Sequence, residues 1–390
     1  MAPTVKRGIV TTSTDQTNIK IDISEAIDQL TPEETPLISV VGKSSLKFPC
    51  EQIKHEWMTD ELRPRAGTLG AAYVSGSGTM QLATGEGAYL VPDDTIYVED
   101  QAYRVEAGPP SSDVLTVTLI RGTGAAGTTD AAHIAGTVWT KLAHAAQEAG
   151  VARTDASKTV VNTAYNYTQI IKDWCVVSGT MEVIKRYGYV SERAYQEAKV
   201  MRQLMLDYEY NLIYGVRSLV ETPKRKSTCG GLREYIYYPG IQDSWTNVVN
   251  AGGADLTEDA LNDLLEAIWV LGGTPDTIMV NGHNKRRITG WATPRIRTAQ
   301  DERIAGGSID TYESDFGTLG VRLNRNLRGS DLLILTLDEI GVGPLTGRQL
   351  TSRMLPSTLD GTWYEVLGEY TMEVHKPTLA HGWLYNTATA

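Results

Sequence analysis

Six histidines, three cysteines and one basic run are the residues of this sequence with the widest chemical range, and their spacing limits what they can do. The histidines His55, His133, His144, His283, His375 and His381 are scattered. His375 and His381 are the nearest pair, in HKPTLAH, and Pro377 between them prevents one helical face from presenting both to a metal. Cys50, Cys175 and Cys229 are far apart and odd in number, a pattern of reduced, buried thiols rather than of a disulfide scaffold. The glycine pairs in SGSGTM and TGEGAYL lack the third glycine of a dinucleotide fingerprint, and the sequence has no GxxxxGK[ST] loop, G-x-S-x-G elbow or H-E-x-x-H motif. The residue types therefore point to no catalytic residue, no cofactor and no metal. Asn166-Tyr167-Thr168 fits a glycosylation sequon, which reads as chance because no signal peptide precedes it.

The basic run is Asn284-Lys285-Arg286-Arg287, with Arg295, Arg297 and Arg303 close behind. Asp301, Glu302, Asp310 and Glu313 alternate with it, and mixed signs favour ion pairs between subunits over a phosphate-binding patch. The whole chain carries a net charge of -11, which disfavours a protein that coats nucleic acid, since such proteins neutralise phosphates with clustered Lys and Arg. No apolar run approaches the ~20 residues of a membrane span. The first residues, MAPTVKRGIVTTSTDQ, contain no apolar signal-peptide core, so synthesis and assembly in a cytoplasm are expected.

Around these residues the chain divides by texture, and its 390 residues imply two or three sub-domains. Residues 1–21 are polar and Thr-rich, an arm that orders only against another surface. Thr31-Pro32-Glu33-Glu34 starts a short helix, and the alternation across 45–57 predicts a strand with Pro49 on a sheet edge. Residues 64–88, rich in Gly, Ala, Ser and Thr, read as a flexible excursion without a core. TIYVED, AYRVEA, VLTVTLIRG and TVWTKLA predict a small β-domain over 91–142, with GTGAAGTTDAA as a loop at its tip. Apolar residues at Ala194, Ala198, Met201, Met205, Tyr208, Leu212, Val216 and Leu219 predict a long helix over 191–219, with Gly215 a weak point and Pro223 its stop. Leu256-Thr257-Glu258-Asp259 opens a further helix with an apolar face of Leu261, Leu264, Leu265, Ile268 and Trp269, closed by Gly272-Gly273. The strand DTIMVNG and a helix over NKRRITGW follow, and the chain from Leu332 onward is strand-rich. TWYEVLGEYTMEV is long for one strand, so a bulge or turn is expected within it.

Taken in order, these blocks resemble a family of tailed-phage major head proteins. DISEAIDQLTPEETPLISVVGK followed by HEWMTDEL resembles the family's N-terminal signature. YNYTQIIKDWCVVSGTMEVIKRYG and ERAYQEAKVMRQLMLDYEYNLIYG look like its strand, short helix and long helix, and TEDALNDLLEAIWVLGGTPDTIMVNGHNKRRI like a third block. The resemblance covers roughly residues 21–385.

The resemblance implies an α+β, Hong Kong 97-like capsid fold. On that reading 1–44 is the N-terminal arm and short helix, and 45–156 is the extended E-loop carrying the inserted β-domain at 91–142. Residues 157–230 are a peripheral (P) domain with its spine helix at 191–219, 231–335 an axial (A) domain, and 336–390 strands that return to the P domain. The implied role is a major capsid protein forming pentamers and hexamers of a head shell around double-stranded DNA held without sequence-specific contacts. A separate scaffolding protein, a portal and a decoration protein are its implied partners, with no membrane. The residues expected at subunit contacts are Trp57, Glu61, Arg63, Arg65, Lys285, Arg286, Arg287, Arg295, Arg297 and Arg303. Two other classes compete. A tail-tube or surface-lattice protein is disfavoured by the long helix, and a hydrolase by the missing catalytic constellation.

Overall fold

The computed structural model describes residues 34–60, 62–108, 112–123, 127–145, 159, 161–184, 191–239, 247–291, 311–356 and 360–389. The chain divides into two units, one made of Met58–Thr163 and the other of the segments before and after it. Helix α1 (Pro36–Val41) starts at Thr35-Pro36, one Thr-Pro pair later than expected, with Pro36 where a missing N–H costs nothing. Residues 31–33 and the arm at 1–21 lie outside the described residues. Of the strand expected over 45–57 only β1 (Lys54–Thr59) forms, while Cys50 makes a single parallel bridge to Leu345.

The unit Met58–Thr163 is built from β2 (Ala66–Thr68), β3 (Thr79–Gln81), β4 (Asp94–Val98), β5 (Gln101–Ala107), β6 (Val114–Arg121) and β7 (Val138–His144). The strand order is β2-β7-β4-β5-β6-β3. Its two ends meet just beyond the strands: Leu69 bridges Leu82, Gly70 N–H donates to Gln81 O at 3.0 Å and Ala83 N–H to Thr68 O at 2.9 Å. The ladder thus closes on itself as a small barrel. Residues 64–88 are therefore no coreless excursion. Leu69, Tyr73, Met80 and Leu82 are buried with Ile96, Val105, Leu115 and Trp139 in one core. The stretch looks structureless because few large residues suffice to line a narrow barrel, and its glycines serve the seam. A Cβ on Gly70 would lie 2.4 Å from the Leu82 carbonyl oxygen. Asp130 pins the loop after β6 by accepting from the Tyr73 hydroxyl (2.8 Å), the Tyr103 hydroxyl (2.7 Å) and Gly76 N–H (2.6 Å).

In the other unit β8 (Asn162–Tyr167) pairs with β1, and β9 (Gln169–Val177) and α2 (Gly179–Val183) lead to the long helix α3 (Glu192–Tyr214). Ser191 caps α3 by accepting from Ala194 N–H at 3.4 Å. The helix ends sooner than Leu219. At Gly215 a Cβ would stand 2.4 Å from Asn211 O and 2.5 Å from Cys229 O, so only glycine lets the chain leave here. Residues beyond it pair as β10 (Ser218–Val220) with β11 (Lys226–Thr228).

Then follow β12 (Val248–Asn250), α4 (Glu258–Val270), β13 (Thr277–Val280), α5 (Gly282–Trp291), β14 (Thr311–Ser314), β15 (Gly317–Leu323) and β16 (Leu332–Leu335). The last strands are β17 (Ile340–Pro344), β18 (Thr351–Leu355), β19 (Thr362–Val374) and β20 (Gly382–Tyr385). One sheet runs β12-β20-β16-β13-β15-β14. Against it pack Leu261, Leu264, Leu265 and Ile268 of α4, whose Thr257 cap accepts from Ala260 N–H. Trp269, expected on that face, is 59% exposed, a consequence of the ~100° turn between helical neighbours. In the second sheet β19 pairs with β9 on one edge, and on the other with β17 through Tyr370–Val374 and with β18 through Trp363–Leu367. Two short partners laid end to end keep all 13 residues of β19 in one strand, without the expected turn. The C-terminal segment does not return to a single sheet, because β20 pairs with β12 and β16.

Candidate assembly surfaces

The residues expected at subunit contacts fall in three groups. Glu61, Arg295, Arg297 and Arg303 lie outside the described residues. Trp57 and Lys285 point inward: Trp57 is 6% exposed in the core around α3, and the Lys285 ammonium lies 3.3 Å from Val321 O with the side chain buried. Neither is available to a neighbouring copy, because each faces inward from its own element. Arg287 pairs with Asp255 at 2.5 Å, so the basic run is partly spent within the chain. Arg286 and Arg65 are exposed and Arg63 half-buried.

A row of carboxylates on β19 had no counterpart among the motifs of the sequence. Glu365, Glu369 and Glu373 are buried on the face of that strand turned away from α3. The opposite face carries Tyr364, stacked under Arg193 of α3, and Tyr370, packed on Tyr208 of α3. Arg353 pairs with Glu365 at 2.6 Å, and Arg348 (2.8 Å) and Arg225 (3.1 Å) with Glu369. Glu373 accepts from His55 and from His375 (3.2 Å). Burial pushes the Glu373 carboxyl up, but the hydrogen bonds and charge of the two histidines outweigh it and bring it to about 2. Side chains at every fourth position of a strand share one face, so the row is readable only once the strand is known.

A family model for SU10 major capsid proteins matches residues 9–388. The chain belongs to the SU10 major capsid protein family. No curated protein matches it. Among solved structures, the capsid of a native GTA particle is similar at 11% identity and a TM-score of 0.53, over 95% of this chain and 96% of that one. A structure from Microbacterium phage Oxtober96 is similar at 10% identity and a TM-score of 0.51, over 96% of this chain and 98% of that one. Identities this low speak to the fold alone, which is the α+β, Hong Kong 97-like fold. The chain is a structural capsid protein of a virion, many copies of which form a shell.

A shell subunit must hold its shape under load, and three buried polar groups join segments distant in sequence. Glu209 of α3, fully buried, accepts Leu37 N–H (2.8 Å), Ile38 N–H (2.9 Å) and Asn324 Nδ2 (2.8 Å), tying the root of α1 to the long helix and to the turn after β15. Burial pushes its carboxyl up, against those three donors. Asn166 donates to Gly230 O (3.1 Å) and Met372 O (2.8 Å) and accepts Gly230 N–H (2.8 Å). The asparagine of the chance sequon is thus a fully buried strut. His381 accepts Thr336 N–H at Nδ1 (3.2 Å) and donates from Nε2 to His375 O (3.2 Å). Burial pulls its pKa down to about 4.

Proposed function

We propose that this chain forms the icosahedral or prolate head shell around the double-stranded DNA genome of a tailed bacteriophage, as pentamers and hexamers assembled in the host cytoplasm. The observation that carries the reading is the capsid-family match spanning residues 9–388. On this reading α3 with the β9–β19 sheet is the P domain, and the six-stranded sheet with α4 and α5 is the A domain. The barrel of β2–β7 is carried on the E-loop. A separate scaffolding protein, a portal and a decoration protein are its partners, and the subunit does no chemistry. The net charge of -11 supports DNA enclosed by exclusion rather than held by phosphate contacts.

The test is electron microscopy of the purified protein, alone and co-expressed with its scaffolding protein. Closed shells or sheets of capsomers are expected. Persistent monomers under both conditions overturn the reading.

A further inference from the structure

The six-stranded sheet ends on one side at β12, and among the described residues no strand pairs with its outer edge. Asn247 O accepts Trp383 N–H (2.9 Å) and Ala251 N–H donates to Tyr385 O (2.9 Å), so both turn toward β20. Backbone groups alternate sides along a strand, which leaves the N–H and C=O of Val248 and Asn250 directed away from the sheet. Beside this edge runs α4, and between the two lies a groove of about 640 Å³. Val248, Val249, Ala267, Val270 and Leu271 line it, and Val270 is 68% exposed. Asp263 and Glu266, about one helical turn apart on α4, also face it and are exposed. A groove between a helix and an unpaired strand is built for an extended peptide. The edge supplies main-chain hydrogen bonds, the apolar lining takes alternate side chains, and the two carboxylates select cations.

We propose that this groove receives residues 5–10 of the same chain, Val5-Lys6-Arg7-Gly8-Ile9-Val10, as an added strand beside β12. Three observations favour that occupant. On a chain of net charge -11 the stretch carries two adjacent cations and no carboxylate, the complement of Asp263 and Glu266. Val5, Ile9 and Val10 are β-branched residues, which suit a strand laid against an apolar lining. The reach is also sufficient. Glu34, where the described chain begins, is held just beyond β15, its carbonyl accepting Asn326 Nδ2 at 3.1 Å. Strands β15 and β12 are four strand spacings apart in the sheet, about 19 Å. The chain from Val10 to Glu34 spans up to about 80 Å when extended, so the same copy can fill its own groove. A second copy is the competing occupant. The proposal concerns single subunits and does not rest on the shell reading.

Hydrogen exchange in dissociated subunits tests this. In the full chain the Val248 and Asn250 amides should exchange at least about tenfold more slowly than in a chain lacking residues 2–12. A synthetic peptide of residues 2–14, added to the shortened chain, should restore the protection. A second experiment keeps the full length. Asp263→Lys together with Glu266→Lys should speed exchange at both amides, and adding Lys6→Glu with Arg7→Glu should slow it again, a rescue that misfolding would not give. If the shortened chain fails to fold, this charge exchange decides alone. Equal protection with and without residues 2–12 overturns the proposal, as does a loss that the second charge reversal does not rescue. Protection that rises with protein concentration assigns the groove to a second copy and overturns it as well. Because single subunits are measured, each of these failures leaves the shell reading standing.

Discussion

Acid should weaken this subunit through His381, in a pH window set by the geometry of its two hydrogen bonds. Nδ1 accepts the Thr336 N–H and Nε2–H donates to the His375 carbonyl, an arrangement open only to the neutral ring. A second proton would face Thr336 N–H, inside a site with no access to water. Burial is the largest influence and lowers the pKa, while the hydrogen bond to His375 and the charge of Glu339 resist it; the result is about 4 against an ordinary 6.5. Between those values the unfolded chain binds a proton that the folded chain refuses, so stability falls as pH falls. The contribution is complete above pH 6.5 and lost by about pH 4. At about 1.4 kcal/mol per unit the window is worth about 3 kcal/mol.

Three buried carboxyls oppose it. The carboxyls of Glu209, Asp276 and Asp331 are raised by burial, so their ionisation costs stability as pH rises. The comparison must therefore be a difference. His381→Gln keeps an acceptor and a donor at the site but cannot titrate. Urea unfolding of dissociated subunits, in steps from about pH 7.5 to about pH 4, should show the unaltered chain more stable at the start and its advantage shrinking by about 3 kcal/mol. Parallel curves with a constant gap refute the argument, as does a His381 ring proton whose titration by NMR follows the ordinary value of 6.5.

Three further substitutions probe the other buried groups. Glu209→Ala strands two backbone N–H groups and the Asn324 amide, partly offset by removal of a buried charge. It should cost about 2–4 kcal/mol in urea unfolding and speed hydrogen exchange at Leu37 and Ile38. Asn166→Asp sets a carboxylate against the Gly230 and Met372 carbonyls in place of a donor, with an expected loss of about 3 kcal/mol or more in the same assay. Gly70→Ala forces a Cβ against the Leu82 carbonyl at the barrel seam; a loss of about 1–3 kcal/mol is expected, with faster exchange at Gly70 and Ala83 in particular.

The elements with a strong period are legible in the amino-acid order alone. Helices α3 and α4 form where three- and four-residue spacing predicts them, α3 ending at Tyr214 short of the expected Leu219, because a long amphipathic face is a local pattern. What spacing does not show is depth. Lys285 reads as part of a charged surface, yet α5 turns it inward, whereas Arg287 two residues on reaches Asp255. Trp57 reads as an anchor for a neighbour and fills its own core instead. Residues 64–88 read as coreless because composition counts apolar residues and cannot see that Leu69, Met80 and Leu82 all point into one closed barrel. The open face of β9 has a signal in TQIIKDWCVV, where apolar residues fall on both faces of one strand, a pattern that requires cover on both sides.

The contrast between the two units bears on how copies meet. An unpaired strand edge invites another chain, and the barrel of β2–β7 removes that risk by closing its ladder at Leu69 and Leu82. The β9–β19 sheet does the opposite. Among the described residues β9 pairs with β19 on one edge only, and half of one face leaves Trp174 and Val176 in water. Exposed apolar surface on a strand edge is costly for a solitary protein and ordinary for one whose partner is another copy. The buried row of Glu365 and Glu369 fits that use. It holds Arg353 and Arg348 at fixed places, so their charges are ordered on this face before any contact is made.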